Sequence, residues 1–386
     1  MKIKQIHSKQ IILSLLMAMF VVSCSDDSDT SDPNNPNVVA KDVKINSTNF
    51  PDDNFRAYLL AQDYGADGII TKEEFQEIKK IDVDEKNISS LKGIEYFVAL
   101  DTLRCLNNSL SSLDVSRNTA LRYLSCGWNS LSSLNVSHNT ALTTLYCYAN
   151  SLSSLDVSHN TSLTSLVCWD NSLSSLDVSH NTALTSLDCD NNPLSSLDVS
   201  HNTALTSLDC RDNSLSSLDV SHNTALTLLL CSGNSLSSLD VSHNTALTSL
   251  GCQYNPLSSL DVSHNTALTY LDCSANSLSS LDVSRNTALT SLSCYYNSLS
   301  SLDVSHNTAL TYLDCRGNQI RGEAMDALIE GLPQTNGKIY AIGDSSKEGN
   351  ICTKSQVAAI KAKGWTPYCL YNSDWAEYEG SDDNLQ

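Results

Sequence analysis

Cysteine recurs every 21 residues, eleven times without a gap, at Cys105, Cys126, Cys147, Cys168, Cys189, Cys210, Cys231, Cys252, Cys273, Cys294 and Cys315. A strict period of that length is the signature of a solenoid, a stack of near-identical coils, and not of a globular enzyme fold.

The unit from Leu131 to Ser151 reads LSSLNVSHNTALTTLYCYANS. Leu131, Leu134, Val136, Leu142, Leu145 and Cys147 are its apolar positions, and Asn139 and Asn150 close its two halves. Each half therefore spells L-x-x-L-x-(V or C)-x-x-N, so Leu-x-Val and Leu-x-Cys are both expected as short strands, with Asn turning the chain. One coil cannot bury six apolar residues alone; stacking merges the rows into a continuous core.

The cysteine row is expected to be core. Parallel strands hold equivalent Cβ atoms about 4.8 Å apart and side by side, whereas a disulfide wants them converging near about 3.8 Å. A straight row flanked by Leu does not offer the tetrahedral convergence that zinc needs. The asparagine row, including Asn129, Asn150, Asn171, Asn192 and Asn213, is expected to bond backbone groups of its own and the neighbouring turn.

The motif L-x-x-L-x-C-x-x-N-x-L over residues 81–320 resembles the leucine-rich repeat proteins. It is most similar to the internalin type that carries a ladder of cysteines in place of leucine. The resemblance implies an α/β solenoid with a parallel β-sheet on its concave face, the usual ligand-binding surface. A helical N-terminal cap and helix-containing C-terminal coils are expected to close it.

Five regions are expected: residues 1–23, 24–47, 48–80, 81–320 and 321–386. In the first, Lys2, Lys4 and Lys9 precede an apolar run, Ile11 to Val22, too short for a mature membrane span and fitting a signal peptide. Val21-Val22-Ser23-Cys24 resembles a bacterial lipobox, which implies cleavage before Cys24 and acylation of its thiol; an ordinary secretory signal is the alternative. The acidic stretch from Ser25 to Asp29 resembles the export signal of Bacteroidota surface lipoproteins and implies display on the outer membrane, although a solvated linker is acidic too. Residues to about Asn46 read as a tether.

The formal net charge is −20 at pH 7 and falls by three more without the leader, which carries three lysines and no acid. Such a surface repels nucleic acid and anionic membranes, so the lipid is the expected membrane contact. The protein is expected to act as a monomer.

Between Phe50 and Ile81, two segments of helical apolar spacing flank DYGADGIITKEE. Asp63, Asp67, Gly68 and Glu74 match an EF-hand loop, but Gly65 at the third ligand position has no side-chain oxygen, so calcium binding would be weak. The internalin resemblance implies a cap that need not bind metal, and no other cofactor is expected. A degenerate first coil follows, with Ile81, Val83, Asn87, Ile88 and Leu91. Beyond Asn318, EAMDALIEGL and TKSQVAAIKAKG read as helices, followed by the strands KIYAIG and TPYCLYN. Cys369 to Asn372 repeats the C-x-x-N signature, and Cys352 has Cys369 as an available thiol partner in an oxidising compartment.

Comparison among the coils locates the variation at the two residues before and the two after each Leu-x-Cys core. By strand alternation these point away from the core on the sheet face. Aromatics gather at the ends, as Tyr123, Trp128, Tyr146, Tyr148 and Trp169 and as Tyr254, Tyr270, Tyr295, Tyr296 and Tyr312. Asp170, Asp188, Asp190, Asp209 and Asp212 crowd the middle. Random drift on a soluble surface does not favour Tyr and Trp, so these residues are the candidate ligand contacts.

A second row, His138, His159, His180, His201, His222, His243, His264 and His306, recurs in the other half-repeat, with Arg117 and Arg285 substituting. It offers metal ligands, or a stack that charges and loosens in acid, but uniform duplication explains it equally. No nucleophile elbow, phosphate loop or zincin helix stands out, and Ser, His and Asp recur in nearly every coil, so an enzyme is not expected. The expected function is binding an extracellular protein, in adhesion or host contact. A glycan receptor for nutrient capture and a passive spacer are the alternatives.

Overall fold

The computed structural model describes residues 41–343, 348–371 and 374–382. The leader, Cys24, most of the tether and Asn372 lie outside the described residues.

Each repeat forms one coil with a three-residue strand. After a short antiparallel pair, β1 (Val43–Lys44) with β2 (Ile69–Ile70), the solenoid strands are β3 (Lys80–Asp82), β4 (Thr102–Arg104), β5 (Tyr123–Ser125), β6 (Thr144–Tyr146), β7 (Ser165–Val167) and β8 (Ser186–Asp188). They continue as β9 (Ser207–Asp209), β10 (Leu228–Leu230), β11 (Ser249–Gly251), β12 (Tyr270–Asp272), β13 (Ser291–Ser293) and β14 (Tyr312–Asp314). All pair in parallel and in register, so Leu124, Leu145 and Leu166 form one row. With β15 (Lys338–Ile342), β16 (Thr366–Tyr371) and the antiparallel edge strand β17 (Asp374–Glu377), the sheet has fifteen strands among the described residues.

The six apolar positions of the unit lie in the core, with Leu134 the least covered at 7% exposure. All eleven ladder cysteines are fully buried free thiols. Burial pushes their pKa up, for Cys231 to about 12, so they pack as small apolar groups.

The Leu-x-Val half differs from its expected strand. Its only ladder contact among the described residues is the isolated bridge Asp114 to Asn135. The local competition is visible: Asp156 Oδ1 accepts from the Ser158 backbone N–H at 2.9 Å, and its counterparts in other coils do the same, so a turn takes a backbone N–H in each of these halves.

The ladder asparagines make the expected bonds. Asn129 Nδ2 donates to the carbonyls of Cys105, Cys126 and Gly127 at 3.0–3.1 Å, and its Oδ1 accepts from Leu110 N at 2.9 Å. To reach that geometry, the residue before each Asn enters the left-handed region, at Asn107, Trp128, Ala149, Asp170, Asn191, Asp212, Tyr254, Ala275 and Tyr296, with φ between 48° and 55°. Gly233 and Gly317 fill the same position in two coils.

At the N-terminal end, α1 (Asp53–Leu60) and α2 (Lys72–Glu77) bury Phe55, Leu59 and Phe75 against the first coil. Asp52 ties the two together. Its Oδ1 caps α1 by accepting from Asn54 and Phe55, while Oδ2 accepts from Ser89 N and Oγ, both at 2.7 Å, and from Ser90 N.

At the other end, α3 (Glu323–Gly331) and α4 (Lys354–Ala362) stand where the apolar spacing places them. The asparagine ladder outlasts the repeat: Asn350 Nδ2 donates to the carbonyls of Cys315 and Ala341, and its Oδ1 accepts from Ile320 N, each at 2.8 Å. Cys369 does not continue the cysteine row, because an irregularity between Tyr340 and Ile342 pairs it with Ile342. No disulfide joins Cys352 to Cys369. No helix among the described residues is long and apolar enough to cross a membrane.

Candidate functional site

The variable positions share the sheet face, but neighbouring coils cover them unequally. Trp128 and Tyr254 are 54% and 57% exposed, whereas Asp209 is 9% and Asp314 only 2% exposed. Strands about 4.8 Å apart press their upward side chains together, so the position just before each Cys is half-buried or buried, contrary to the simple alternation rule.

Three chemistries follow one another along this face. At the N-terminal end, Tyr148 stacks on Trp169 with centroids 4.6 Å apart, and Trp128 meets Trp169 edge-on at 6.1 Å. Tyr123 and Tyr146 make another edge contact at 5.6 Å. Gly127 leaves room for the platform, because a Cβ there would stand 2.9 Å from the Tyr148 ring.

In the middle, Asp188, Asp190 and Asp209 bring carboxylate oxygens within 4.8 Å of one another. Burial, and then Asp209, push Asp188 up to about 7. Arg211 occupies the centre, donating from Nε and a terminal nitrogen to Asp209 at 2.7–3.0 Å and reaching Asp190 at 3.4 Å. The arginine already supplies the cation for this group. Asp170 and Asp212 stay exposed at its rim.

At the far end, Tyr254 and Tyr295 join hydroxyls at 3.1 Å, and Tyr295 and Tyr296 meet edge-on. The Arg316 guanidinium lies 4.7 Å from the Tyr295 centroid and pairs with Asp314 at 3.1 Å. Tyr312 continues into Tyr340 and Tyr368, each pair of centroids 5.3 Å apart. Tyr340 and Tyr368 extend the candidate face beyond the repeats. Carrying the strand alternation into KIYAIG and TPYCLYN would have found them.

In the EF-hand-like loop, Asp63, Asp67 and Glu74 do not bring their carboxylate oxygens within 4.8 Å of one another. Asp67 Oδ1 accepts from Ile69 N, and Glu74 Oε2 closes a capping box with the N–H and hydroxyl of Thr71. Asp63 does not join them within ligating distance, and Gly65 is pressed so close to Leu59 O that no side chain fits there. In the histidine row, each Nδ1 lies 3.1–3.3 Å from the preceding Ser Oγ, as at His138, His159 and His201, and the rings are exposed.

No protein-family model matches the chain. Over 71 residues it is 43% identical to Internalin J of Listeria monocytogenes serotype 4b (strain F2365), a match that spans 18% of this chain and only 8% of that protein. The functional domain of InlJ from Listeria monocytogenes, which includes a cysteine ladder, aligns at 33% identity and TM-score 0.53 over 79% of this chain and 81% of that one. The internalin InlF from strain 4b F2365 of the same species aligns at TM-score 0.76 over 87% of this chain and all of that one; at 22% identity it speaks for the fold alone. So does a leucine-rich repeat protein of Leptospira interrogans, at 17% identity and TM-score 0.55 over 76% of this chain and 96% of that one.

Proposed function

We propose, for a chain that belongs to the cysteine-ladder leucine-rich repeat proteins related to internalin J, that it is a cell-surface receptor or adhesin whose sheet face binds a protein ligand. The fold is typically a non-enzymatic binding scaffold, and its repeat surface suits protein recognition.

One observation carries this reading. Trp128, Tyr254 and Tyr296 occupy left-handed backbone positions with φ of 49°, 55° and 52°. A bulky residue there costs roughly 1 kcal/mol or more, and glycine serves the same position in two other coils. Aromatics kept at that cost, and exposed at Trp128 and Tyr254, fit residues retained for contact.

The same reading anchors the protein through acylated Cys24 on the outer membrane and faces the solenoid outward. Metabolic acyl labelling lost in Cys24→Ala, with protease sensitivity on intact cells, tests the anchor and the display.

The ligand is tested by screening the protein against extracellular proteins and a glycan array, with Trp128→Ala/Tyr148→Ala/Trp169→Ala as control. A protein hit lost in the triple variant supports the proposal. A hit displaced by free oligosaccharide instead favours a glycan receptor, for which the Tyr148–Trp169 stack offers a sugar-sized platform. Silence on both panels favours the spacer.

A further inference from the structure

Between β12 and β14 the sheet face holds a notch one coil wide. In-register pairing sets Tyr270, Ser291 and Tyr312 in one row and Asp272, Ser293 and Asp314 in the next. In these two rows the middle coil offers only serines, so β13 makes a floor while Tyr and Asp rise on both sides. The flanking strands stand two spacings apart, about 9.6 Å, which leaves width for a single side chain between them. Tyr295 and Arg316 complete a cavity of about 310 Å³.

Its charge is unbalanced. Asp314 pairs with Arg316 at 3.1 Å. Asp272, 8% exposed, accepts from Ser274 N at 3.0 Å and has no cation within ion-pair distance among the described residues. Two carboxylates and one guanidinium leave one negative charge in a partly desolvated groove, where an uncompensated carboxylate is costly. Burial raises the pKa of both acids, Asp314 to about 6. The walls also suit a cation, since the Tyr295 ring already holds a guanidinium against its face.

We propose that this notch seats one lysine or arginine side chain of the protein ligand, its charge against Asp272 and its alkyl stem between Tyr270 and Tyr312. The proposal rests on the reading that the sheet face binds protein, and it names the chemistry the partner must present. An acidic surface alone would attract basic chains without choosing a place for them; the notch fixes where the charge goes.

The test titrates the full chain with Nα-acetyl-lysine N-methylamide at about physiological salt, where diffuse surface attraction is screened, and follows it by ligand-observed NMR. Saturable binding is expected. It should weaken about tenfold in Asp272→Asn, which keeps the shape of the side chain. Ser293→Leu, which fills the floor and leaves every charge in place, should block it, and Asp156→Asn, which removes an exposed charge in the other half-repeat, should leave it unchanged. The same probe acetylated on Nε should not bind. Equal binding by Asp272→Asn and Ser293→Leu, equal binding of the acetylated probe, or no saturable binding to the parent overturns the proposal. The probe requires no partner, so an empty partner screen does not affect this result. Failure of the probe likewise leaves the Trp128 platform to be judged by the screen.

Discussion

Tyr148 and Trp169, equivalent residues of adjacent coils, lie face to face with ring centroids 4.6 Å apart and planes 14° from parallel. The stack depends on Gly127 in the preceding coil, whose missing Cβ leaves space for the Tyr148 ring. Gly127→Ala should therefore displace the ring and change the near-ultraviolet circular dichroism of the Tyr–Trp pair. The crowding should cost about 1 kcal/mol in chemical denaturation. An unchanged aromatic spectrum would show that the platform does not depend on this glycine.

Trp128→Gly separates strain from contact. The left-handed backbone at Trp128, with φ of 49°, favours glycine, and the ring is 54% exposed, so little packing is lost on truncation. The melting temperature should hold or rise, by the equivalent of about 1 kcal/mol at most once the added chain entropy of glycine is counted. Ligand binding should fall in the same variant. A clear drop in melting temperature would mean that Trp128 is there for stability.

The coil, its core and the fully bonded asparagine ladder were legible because each follows from one short motif repeated in register. The limits of that reading have local causes. Leu-x-Val looks like Leu-x-Cys in hydropathy, but Asp156 and its counterparts take a backbone N–H that a strand would need. Asn350 was missed because the longer C-terminal coil places it nine residues beyond Ala341, not three beyond a cysteine. Alternation marks Asp209 and Asp314 as facing away from the core, but not that adjacent coils would cover them. The edge strand β17 has no counterpart in any repeat.

Asp188 should make the fold less stable as pH rises. Its pKa is pushed up to about 7 by burial and then by Asp209, with the Asp190 backbone N–H opposing, the Asp190 carboxylate adding and Arg211 opposing. Asp170 and Asp212 act on the adjoining Asp190. An unfolded Asp titrates near about 3.9, so between that value and about 7 the folded state binds more protons and stability falls with rising pH. Asp188→Asn should flatten this slope and gain on the order of 1 kcal/mol at about pH 8, after allowance for solvent screening. Melting curves of parent and variant from about pH 4 to 8 check it; parallel curves would refute it.

Asp52 should behave in the opposite sense. Burial alone would raise its pKa, but hydrogen bonds from Phe55, Ser89 and Ser90 outweigh it and hold the carboxyl below its usual value. Its contribution is therefore complete above the unfolded pKa, about 3.9, and is lost as pH falls through the lower folded value. Asp52→Ala removes a helix cap and three bonds to the first coil, and should cost about 2–3 kcal/mol at neutral pH. Hydrogen exchange should accelerate first in α1, ahead of the central coils. Uniform acceleration along the solenoid would show instead that the cap unfolds only with the whole stack.

The two asparagine rows should differ in worth, because only one is fully satisfied. Asn213 donates to three carbonyls and accepts from Leu194 N. Asn202 donates to Val178 O and Asn181 O at 2.9 Å, while its Oδ1, like those of Asn181 and Asn223, is buried without a protein partner. Replacing Asn213 by Ala should cost about 3 kcal/mol and replacing Asn202 about 1 kcal/mol less, since fewer bonds are broken and one orphaned acceptor leaves with the side chain. Buried acceptors of this kind are ordinarily met by ordered water. High-resolution diffraction should therefore find one water on each Oδ1, repeating at the coil spacing along the stack. Equal costs for the two replacements, with dry Oδ1 atoms, would mean that this row is bonded in some other way.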